Sequence, residues 1–172
     1  MKVGLWAKGR TKGWTKGLAL ASLLAVVQAP AADSSSPTLP DKVRAFNKRF
    51  EDVKVAVAEG YAPIPCTSGT DGGAMGVHYV NAEYLKDEIP DIKRPQAVMY
   101  EPLPTGKMEL VAVEYITLKG PASLDGQLFS FTGSPNRYGL GPFYALHVWA
   151  WKSNPRGAFA DMNPNVTCEY AH

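Results

Sequence analysis

The order of the hydrophobic patterns constrains the fold most, because one helical stripe comes first and only strand patterns follow it. Apolar residues at steps of three and four predict an amphipathic helix over residues 41–59. Asp41 is placed to cap this helix, and Gly60 is placed to end it. The predicted stripe, which must lie against another part of the fold, consists of Val43, Phe46, Phe50, Val53 and Val57.

Four strand patterns follow the helix, and turn signals rich in Gly or Pro separate them. They cover residues 74–81, 96–101, 107–118 and 143–151. Because no helical pattern alternates with these strands, the order predicts an α+β fold with an antiparallel sheet. We expect the N-terminal amphipathic helix to pack on a curved antiparallel sheet or on a small open barrel. Residues 120–142, a long connection rich in Gly, Pro and Ser, are predicted to form a lid or flap.

The N-terminal region has the pattern of a removable export signal. Residues 1–17 carry five basic residues and no acidic one, and an apolar stretch follows over residues 18–27. Ala29-Pro30-Ala31 then fits a cleavage site of the small-x-small type. An N-terminal membrane anchor is the alternative, but this apolar stretch is shorter than the about 20 residues that cross a bilayer.

This pattern divides the chain into three parts. We expect a signal peptide over residues 1–31, a Ser- and Pro-rich linker over 32–40, and a single α+β domain over 41–172. After cleavage the protein is expected to have no stable membrane span and to be periplasmic or secreted by a bacterium.

The net charge depends strongly on the predicted signal. The whole chain has 18 basic and 16 acidic residues, but the signal holds five of the basic ones and no acid. The remainder therefore has a net charge of −3. A nucleic-acid-binding surface needs clustered Lys and Arg, and the remainder offers short pairs such as Lys48-Arg49 and Lys93-Arg94. We therefore predict no nucleic-acid partner.

The two cysteines, Cys66 and Cys168, are predicted to form a disulfide, as an even count in an exported protein suggests. A metal ligand or a nucleophile is the alternative, but neither cysteine has a CxxC partner or a nearby histidine. The bond would close a loop of about 100 residues and contribute on the order of 4–5 kcal/mol in the chain-entropy model. The bond would hold the irregular tail against the sheet.

Two strand patterns place a polar side chain where an apolar one is expected. Strict alternation puts Glu114 on the same face as Leu110 and Ala112, and Glu114 is the single polar residue on this otherwise apolar face. His147 lies in a strand that is apolar on both faces, which predicts a central strand and a buried imidazole. Each group is costly to bury alone and tolerable with a partner. We therefore predict that His147 faces Glu114 or His78 across the sheet, inside a pocket walled by tryptophans.

His78 and Glu101, on two further strands, complete the set of candidate site residues. Two histidines with one or two carboxylates on neighbouring strands are a common ligand set for Zn, Mn, Fe or Cu. We expect these groups to form an inward cluster that binds a small ligand or a divalent transition metal ion. The aromatic residues expected to line it are Tyr79, Tyr100, Trp149 and Trp151.

Three functions remain open at this point. The first is an exported binding domain for a small molecule or metal ion, in which the cluster is the site. The second is an enzyme that uses the same cluster for acid–base or metal-assisted chemistry, and the third is an envelope interaction module without a small-molecule site. A His–Glu pair with a purely structural role would equally explain why these polar residues stand in apolar strands. The sequence contains no phosphate-loop, GxSxG or HExxH motif.

The closing segment HVWAWKSNPRGAFADMNPNVTC, together with GAMGVHYVN and VMYEP, covers much of the predicted domain. These segments resemble a family of small exported bacterial proteins that have no assigned function. The resemblance implies a bacterial envelope or secreted protein. It brings no activity, cofactor or catalytic residue to this chain.

Overall fold

The computed structural model of the protein describes residues 36–69, 72–87 and 89–171. The predicted signal peptide and most of the predicted linker lie outside the described residues. No helix in the described ranges is long and apolar enough to cross a membrane.

The predicted N-terminal helix is divided in two, so the prediction of one continuous helix over residues 41–59 was wrong. The structure has α1 at Leu39–Asn47, a 3-10 turn at Lys48–Glu51 and α2 at Val53–Ala58. The break lies at Asp52, whose backbone is extended with φ −95° and ψ 110°. Its side chain accepts a hydrogen bond from the amide of the second α2 residue, so Asp52 caps the new helix.

The N-terminal cap of α1 is Thr38, one turn before the predicted cap Asp41. The Thr38 hydroxyl accepts from the Asp41 amide at 3.4 Å, and the Asp41 carboxylate accepts from the Thr38 amide at 3.1 Å. This reciprocal pair is a capping box. At the other end, Gly60 has a φ of +89° and donates to the Val57 carbonyl, as expected for a residue that ends a helix.

Dividing the helix also divides its predicted apolar stripe. Val43 and Phe50 are fully buried, but Phe46 is 45% exposed and Val57 is 55% exposed. The 3-10 turn and the break at Asp52 change the rotational phase of the helix, so residues in one stripe of a continuous helix no longer share a face.

Most of the elements after α2 are strands. The elements after α2 are β1 Tyr61–Pro63, β2 Thr67–Ser68, β3 Ala74–Asn81, α3 Ala82–Asp87, β4 Ala97–Pro102, β5 Met108–Thr117, β6 Ser123–Leu124, β7 Gln127–Leu128, β8 Ser130–Thr132 and β9 Phe143–Val148. The four predicted strands are present as β3, β4, β5 and β9.

The sheet is antiparallel, and its strands follow the order β1-β3-β4-β5-β9-β8 with β2 paired to β3. The predicted α+β class with an antiparallel sheet is confirmed, and within the described ranges the sheet does not close into a barrel.

A β-bulge between β4 and β5 interrupts the strict alternation of side chains. Met99 pairs with Ala112, but the next residue, Tyr100, pairs with Leu110, which leaves Val111 as the extra residue. Leu110 therefore joins the buried cluster that includes Tyr100, Phe50 and Val43. Ala112 joins a second cluster on the opposite face. The expectation that Leu110 shares a face with Ala112 and Glu114 was wrong for this reason.

Gly76 allows β3 to run close to β4 just before His78. Its φ is +90°, and a Cβ atom built there would lie 2.4 Å from the Tyr100 carbonyl oxygen. A side chain at this position would be strained twice, by the backbone conformation and by the contact. Glycine at this position therefore lets β3 pair with β4 in the register that places His78 opposite Met99.

The predicted disulfide between Cys66 and Cys168 is confirmed, with a Cα–Cα distance of 5.8 Å. It fixes the end of an irregular tail, which begins after β9. Near the bond, the Thr167 amide donates to the Glu101 carboxylate at 3.0 Å. The tail is thus held by a covalent bond to the segment between β1 and β2, and by a hydrogen bond to the end of β4.

Candidate functional site

Glu114 and His147 lie directly opposite each other on β5 and β9. Both side chains are buried, and Glu114 Oε1 lies 3.5 Å from His147 Nε2. His78 reaches the same carboxylate from β3, with its Nε2 atom 3.4 Å from Glu114 Oε2. Strand β4 lies between the two residues, with Met99 paired with His78 and Ala97 paired with Glu114. One ligand atom from each of the three residues lies within 4.8 Å of the others.

A guanidinium nitrogen lies between these three side chains. The loop that joins β8 to β9 carries Arg137, whose Nη2 atom is 3.0 Å from Glu114 Oε1 and 2.9 Å from Oε2. The same nitrogen is 3.4 Å from His78 Nε2 and 3.3 Å from His147 Nε2. Its neighbour Tyr138 donates its hydroxyl to Glu114 Oε2. The loop therefore places one cation and one hydroxyl donor on the buried carboxylate.

Asn136 fixes the shape of this loop. Its side-chain amide donates to the carbonyls of Gly133 at 3.1 Å and Leu140 at 2.9 Å. Its side-chain oxygen accepts from the Tyr138 amide at 3.1 Å and from the Leu140 amide at 3.2 Å. These bonds form within the loop, so they hold the turn that presents Arg137 without using the Arg137 side chain.

Asp161, from the tail, orients the His147 ring. Its Oδ1 atom lies 3.1 Å from His147 Nδ1. This hydrogen bond is the main reason that the pKa of Asp161 is lowered, so the carboxylate is charged and can only accept. His147 Nδ1 must then donate, which leaves Nε2 facing the Glu114 carboxylate and Arg137 Nη2. Trp149 supports the tail here by donating from Nε1 to the Ala160 carbonyl at 2.6 Å.

Burial and charge set opposite protonation preferences for His78 and Glu114. Burial lowers the pKa of His78 to about 3 although the Glu114 carboxylate raises it, so this imidazole is neutral at neutral pH. Burial raises the pKa of Glu114, but His147, Arg137, His78 and the Tyr138 hydroxyl together lower it to about 2. The centre of the cluster is therefore a charged carboxylate beside a neutral imidazole.

Arg137 and Tyr138 remain protonated beside this carboxylate. Burial lowers the pKa of Arg137, but the charges and hydrogen bonds of Glu114 and Tyr138 together raise it above its ordinary value. Burial and then the Glu114 charge raise the pKa of the Tyr138 hydroxyl well above its ordinary value. The Arg137 guanidinium compensates the charge of Glu114, which would be costly to bury alone.

The donor set matches that of a transition-metal site. Two imidazole nitrogens and a carboxylate are ligands that Zn and other first-row transition metals accept. Such a metal binds nitrogen at about 2.0–2.1 Å and leaves no room for a guanidinium at its own position. Because Arg137 Nη2 contacts all three ligand residues, it occupies the point on which their donor atoms converge.

Glu101, the fourth predicted site residue, lies apart from the cluster. It is buried on β4, where its carboxylate contacts Lys152 Nζ and the Thr167 amide. Glu101 is paired with Glu109 on β5, whereas the residue paired with Glu114 is Ala97, so Glu101 lies farther along β4 than the cluster. The structure thus brings three of the four predicted polar residues together, whereas Glu101 lies beside the tail.

The predicted aromatic lining is also distributed over the fold. Tyr79 and Tyr100 stack edge-to-face at 5.1 Å between ring centroids, in the core cluster of the other face. Trp151 donates to Glu51 at 3.1 Å and packs against that same core. Trp149 alone of these four lies on the cluster's face, where its neighbours include Met99.

A cavity of about 450 Å³ lies away from the cluster, near the disulfide. Tyr79, Cys66 and Tyr170 are among its lining residues. Neither Glu114 nor either strand histidine lines it.

Sequence reasoning missed Arg137, Tyr138 and Asp161. Arg137 and Tyr138 lie in the segment predicted to be a lid. An arginine next to a tyrosine, with turn residues on both sides, is a signal that could have identified them. Asp161 stands in an irregular tail without periodicity, so no pattern pointed to it. These three residues nevertheless set the charge and orientation of the cluster.

Comparison of the chain with models of protein families, with curated proteins and with solved structures found no match. The resemblance to small exported bacterial proteins therefore stays a prediction.

Proposed function

We propose that the protein binds a divalent transition metal ion through His78, Glu114 and His147. The observation that carries the proposal is the convergence of their ligand atoms within 4.8 Å in a buried part of the sheet. Strands from a common sheet hold all three residues, which gives the site a rigid scaffold.

The protonation and orientation of the ligands support this proposal. Metal ligands must be deprotonated at their donor atoms, and the lowered pKa values of His78 and Glu114 meet that need at neutral pH. The hydrogen bond from His147 to Asp161 resembles the carboxylate–histidine arrangement that supports metal ligands from behind. A histidine held in this way presents Nε2 to the ion.

Three protein ligands rather than four favour a site with an open position. Structural zinc sites normally use four protein ligands, and sites with three leave a position for water or another ligand. This count favours metal-assisted chemistry as the second candidate function, because a bound water becomes more acidic at the ion.

Export is part of the proposal. The disulfide between Cys66 and Cys168 supports an oxidising compartment, where such bonds persist. N-terminal sequencing of the protein from its native host should find a mature chain that begins near Ala32 or Asp33. A protein that keeps Met1 in the cytoplasm would contradict this part.

Metal binding can be tested directly on the purified protein without an affinity tag. After chelation and dialysis, the protein is titrated with Zn²⁺ or Co²⁺ by calorimetry, and we expect about one ion per chain. Saturating metal should also raise the melting temperature by linkage. His147→Ala should lose both effects.

Glu101→Gln is the matched control, because it alters a buried carboxylate outside the cluster. It should keep the metal affinity whatever it does to stability. Absence of binding by the folded wild type, or equal binding by His147→Ala, would refute the proposal.

A further inference from the structure

We infer that Arg137 and the metal ion are alternative occupants of the same position, so that the protein carries its own competitor for the metal. This inference rests on the proposed metal site and adds its regulation. The guanidinium would hold the three ligands together when no metal is bound and would move to the surface when a metal enters.

The geometry makes the two occupants exclusive. Arg137 Nη2 lies 2.9–3.0 Å from both Glu114 oxygens, and 3.3–3.4 Å from the two histidine Nε2 atoms. A metal at bonding distance from the same donors would overlap this nitrogen, since coordination bonds of about 2.0–2.2 Å leave no space for it. The two positive charges would also repel each other strongly in a buried setting.

The metal-free protein needs such a substitute. Glu114 is fully buried, and a buried carboxylate without a compensating cation would cost several kcal/mol. Arg137 supplies the positive charge, and Tyr138 adds a hydrogen bond. The ligands are therefore held in place in a charge-compensated cluster before any metal arrives.

Arg137 has a route out of the cluster. Its side chain is already 20% exposed, in contrast to 1% for Glu114. The bonds that shape the loop come from Asn136 and do not involve the Arg137 side chain. A change of rotamer can therefore carry the guanidinium to solvent while the turn keeps its form.

The exchange has a measurable consequence for affinity. If the site binds metal only after the Arg137 guanidinium has left it, only the fraction of molecules in that open state can bind. The apparent dissociation constant for the metal then rises in inverse proportion to that fraction. A minor state of this kind has a population of about 10% or less. Removing the guanidinium should therefore tighten metal binding at least about tenfold.

The first test compares the Co²⁺ affinities of the wild type, Arg137→Gln and Arg137→Lys. We expect Arg137→Gln to bind at least about tenfold more tightly than the wild type. Arg137→Lys, which keeps the charge, should lie between them. Arg94→Gln is the control, because Arg94 pairs with Asp87 on the surface and its loss should not change the affinity.

The second test needs no substitution, so it holds even if Arg137→Gln fails to fold. The wild type is labelled with phenylglyoxal, which modifies accessible arginines, and the sites are mapped by mass spectrometry. Labelling of Arg137 should rise when Co²⁺ is present, while labelling of Arg94 stays constant.

The outcomes separate the exchange from the metal site itself. Wild type that binds Co²⁺ with no increase in Arg137 labelling, and no tightening in Arg137→Gln, would overturn the exchange and leave the proposed function intact. No binding by the folded wild type and folded Arg137→Gln would overturn both.

Discussion

Glu114 and His147 are paired directly across β5 and β9, with Glu114 Oε1 3.5 Å from His147 Nε2. This pairing explains why two apolar strands each carry a polar residue at one position. Each group would be costly to bury alone, and the shared cluster compensates both. The pairing also fixes the two donors on neighbouring strands, where the sheet limits their movement.

The first prediction concerns the coupling of Glu114 to Arg137. Glu114→Gln removes the charge that pairs with the guanidinium, and we expect the free energy of unfolding to fall by about 2–4 kcal/mol in chelator. Urea denaturation of this variant, of Arg137→Gln and of the double variant completes a cycle. The double variant should be more stable than the sum of the two single losses implies. Additive losses would show that the two residues do not compensate each other.

The second prediction is a loss of stability in acid. His78 has its pKa lowered from 6.5 to about 3, so the unfolded chain takes up a proton below pH 6.5 before the folded protein does. The contribution of His78 to the free energy of unfolding is therefore fully present above pH 6.5, and it is lost as the pH falls from 6.5 toward 3. Glu114, lowered from 4.5 to about 2, adds to the loss below pH 4.5.

Denaturation in chelator at about pH 6 and about pH 5 measures this effect, since one proton corresponds to a slope of about 1.4 kcal/mol per pH unit. His78→Gln should reduce the slope by most of that amount, because Gln does not titrate. A variant with the slope of the wild type would mean that His78 takes up its proton equally well in the folded state.

The sequence predicted those parts of the fold and site that depend on regular strands. Alternation identified Glu114 and His147 as exceptions, and strand order brought them together with His78. Prediction from the sequence failed where the chain departs from regular geometry. A single bulge at Val111 reversed the face of Leu110, and an extended residue at Asp52 divided the helix.

The charge partner of Glu114 could not be predicted from periodicity. Arg137 lies in a turn held by Asn136, and neither residue takes part in a repeating pattern. A buried carboxylate on a strand requires a partner, but the requirement does not say which loop supplies it. The position of Arg137 depends on the path of a connection, which follows from tertiary structure.

The third prediction compares two glycines that share a positive φ but differ in their surroundings. Gly76 has φ +90° and its Cβ would lie 2.4 Å from the Tyr100 carbonyl oxygen, whereas Gly106 has φ +75° with nothing within 4 Å. Gly106→Ala should cost about 1 kcal/mol through its backbone conformation alone. Gly76→Ala should cost about 2 kcal/mol more, because β3 must also move away from β4. Equal costs in urea denaturation would contradict the close approach of these strands.

The fourth prediction concerns the disulfide. Replacing both Cys66 and Cys168 with Ser should lower the free energy of unfolding by about 4 kcal/mol, because the bond restricts a loop of about 100 residues in the unfolded chain. Reductant should destabilise the wild type and leave the double variant unchanged, which serves as the control. An oxidised wild type no more stable than the double variant would argue against this role.

The most direct test of the central claim is the X-ray absorption fine structure of the purified protein loaded with one equivalent of Zn²⁺. The proposed site predicts two imidazole nitrogens and carboxylate oxygen at about 2.0–2.2 Å. In His147→Ala, which should not bind the ion at this site, the imidazole signal should be lost and the spectrum should resemble that of Zn²⁺ in buffer. A wild-type spectrum with oxygen ligands alone, or one unchanged in His147→Ala, would contradict a metal site at His78, Glu114 and His147.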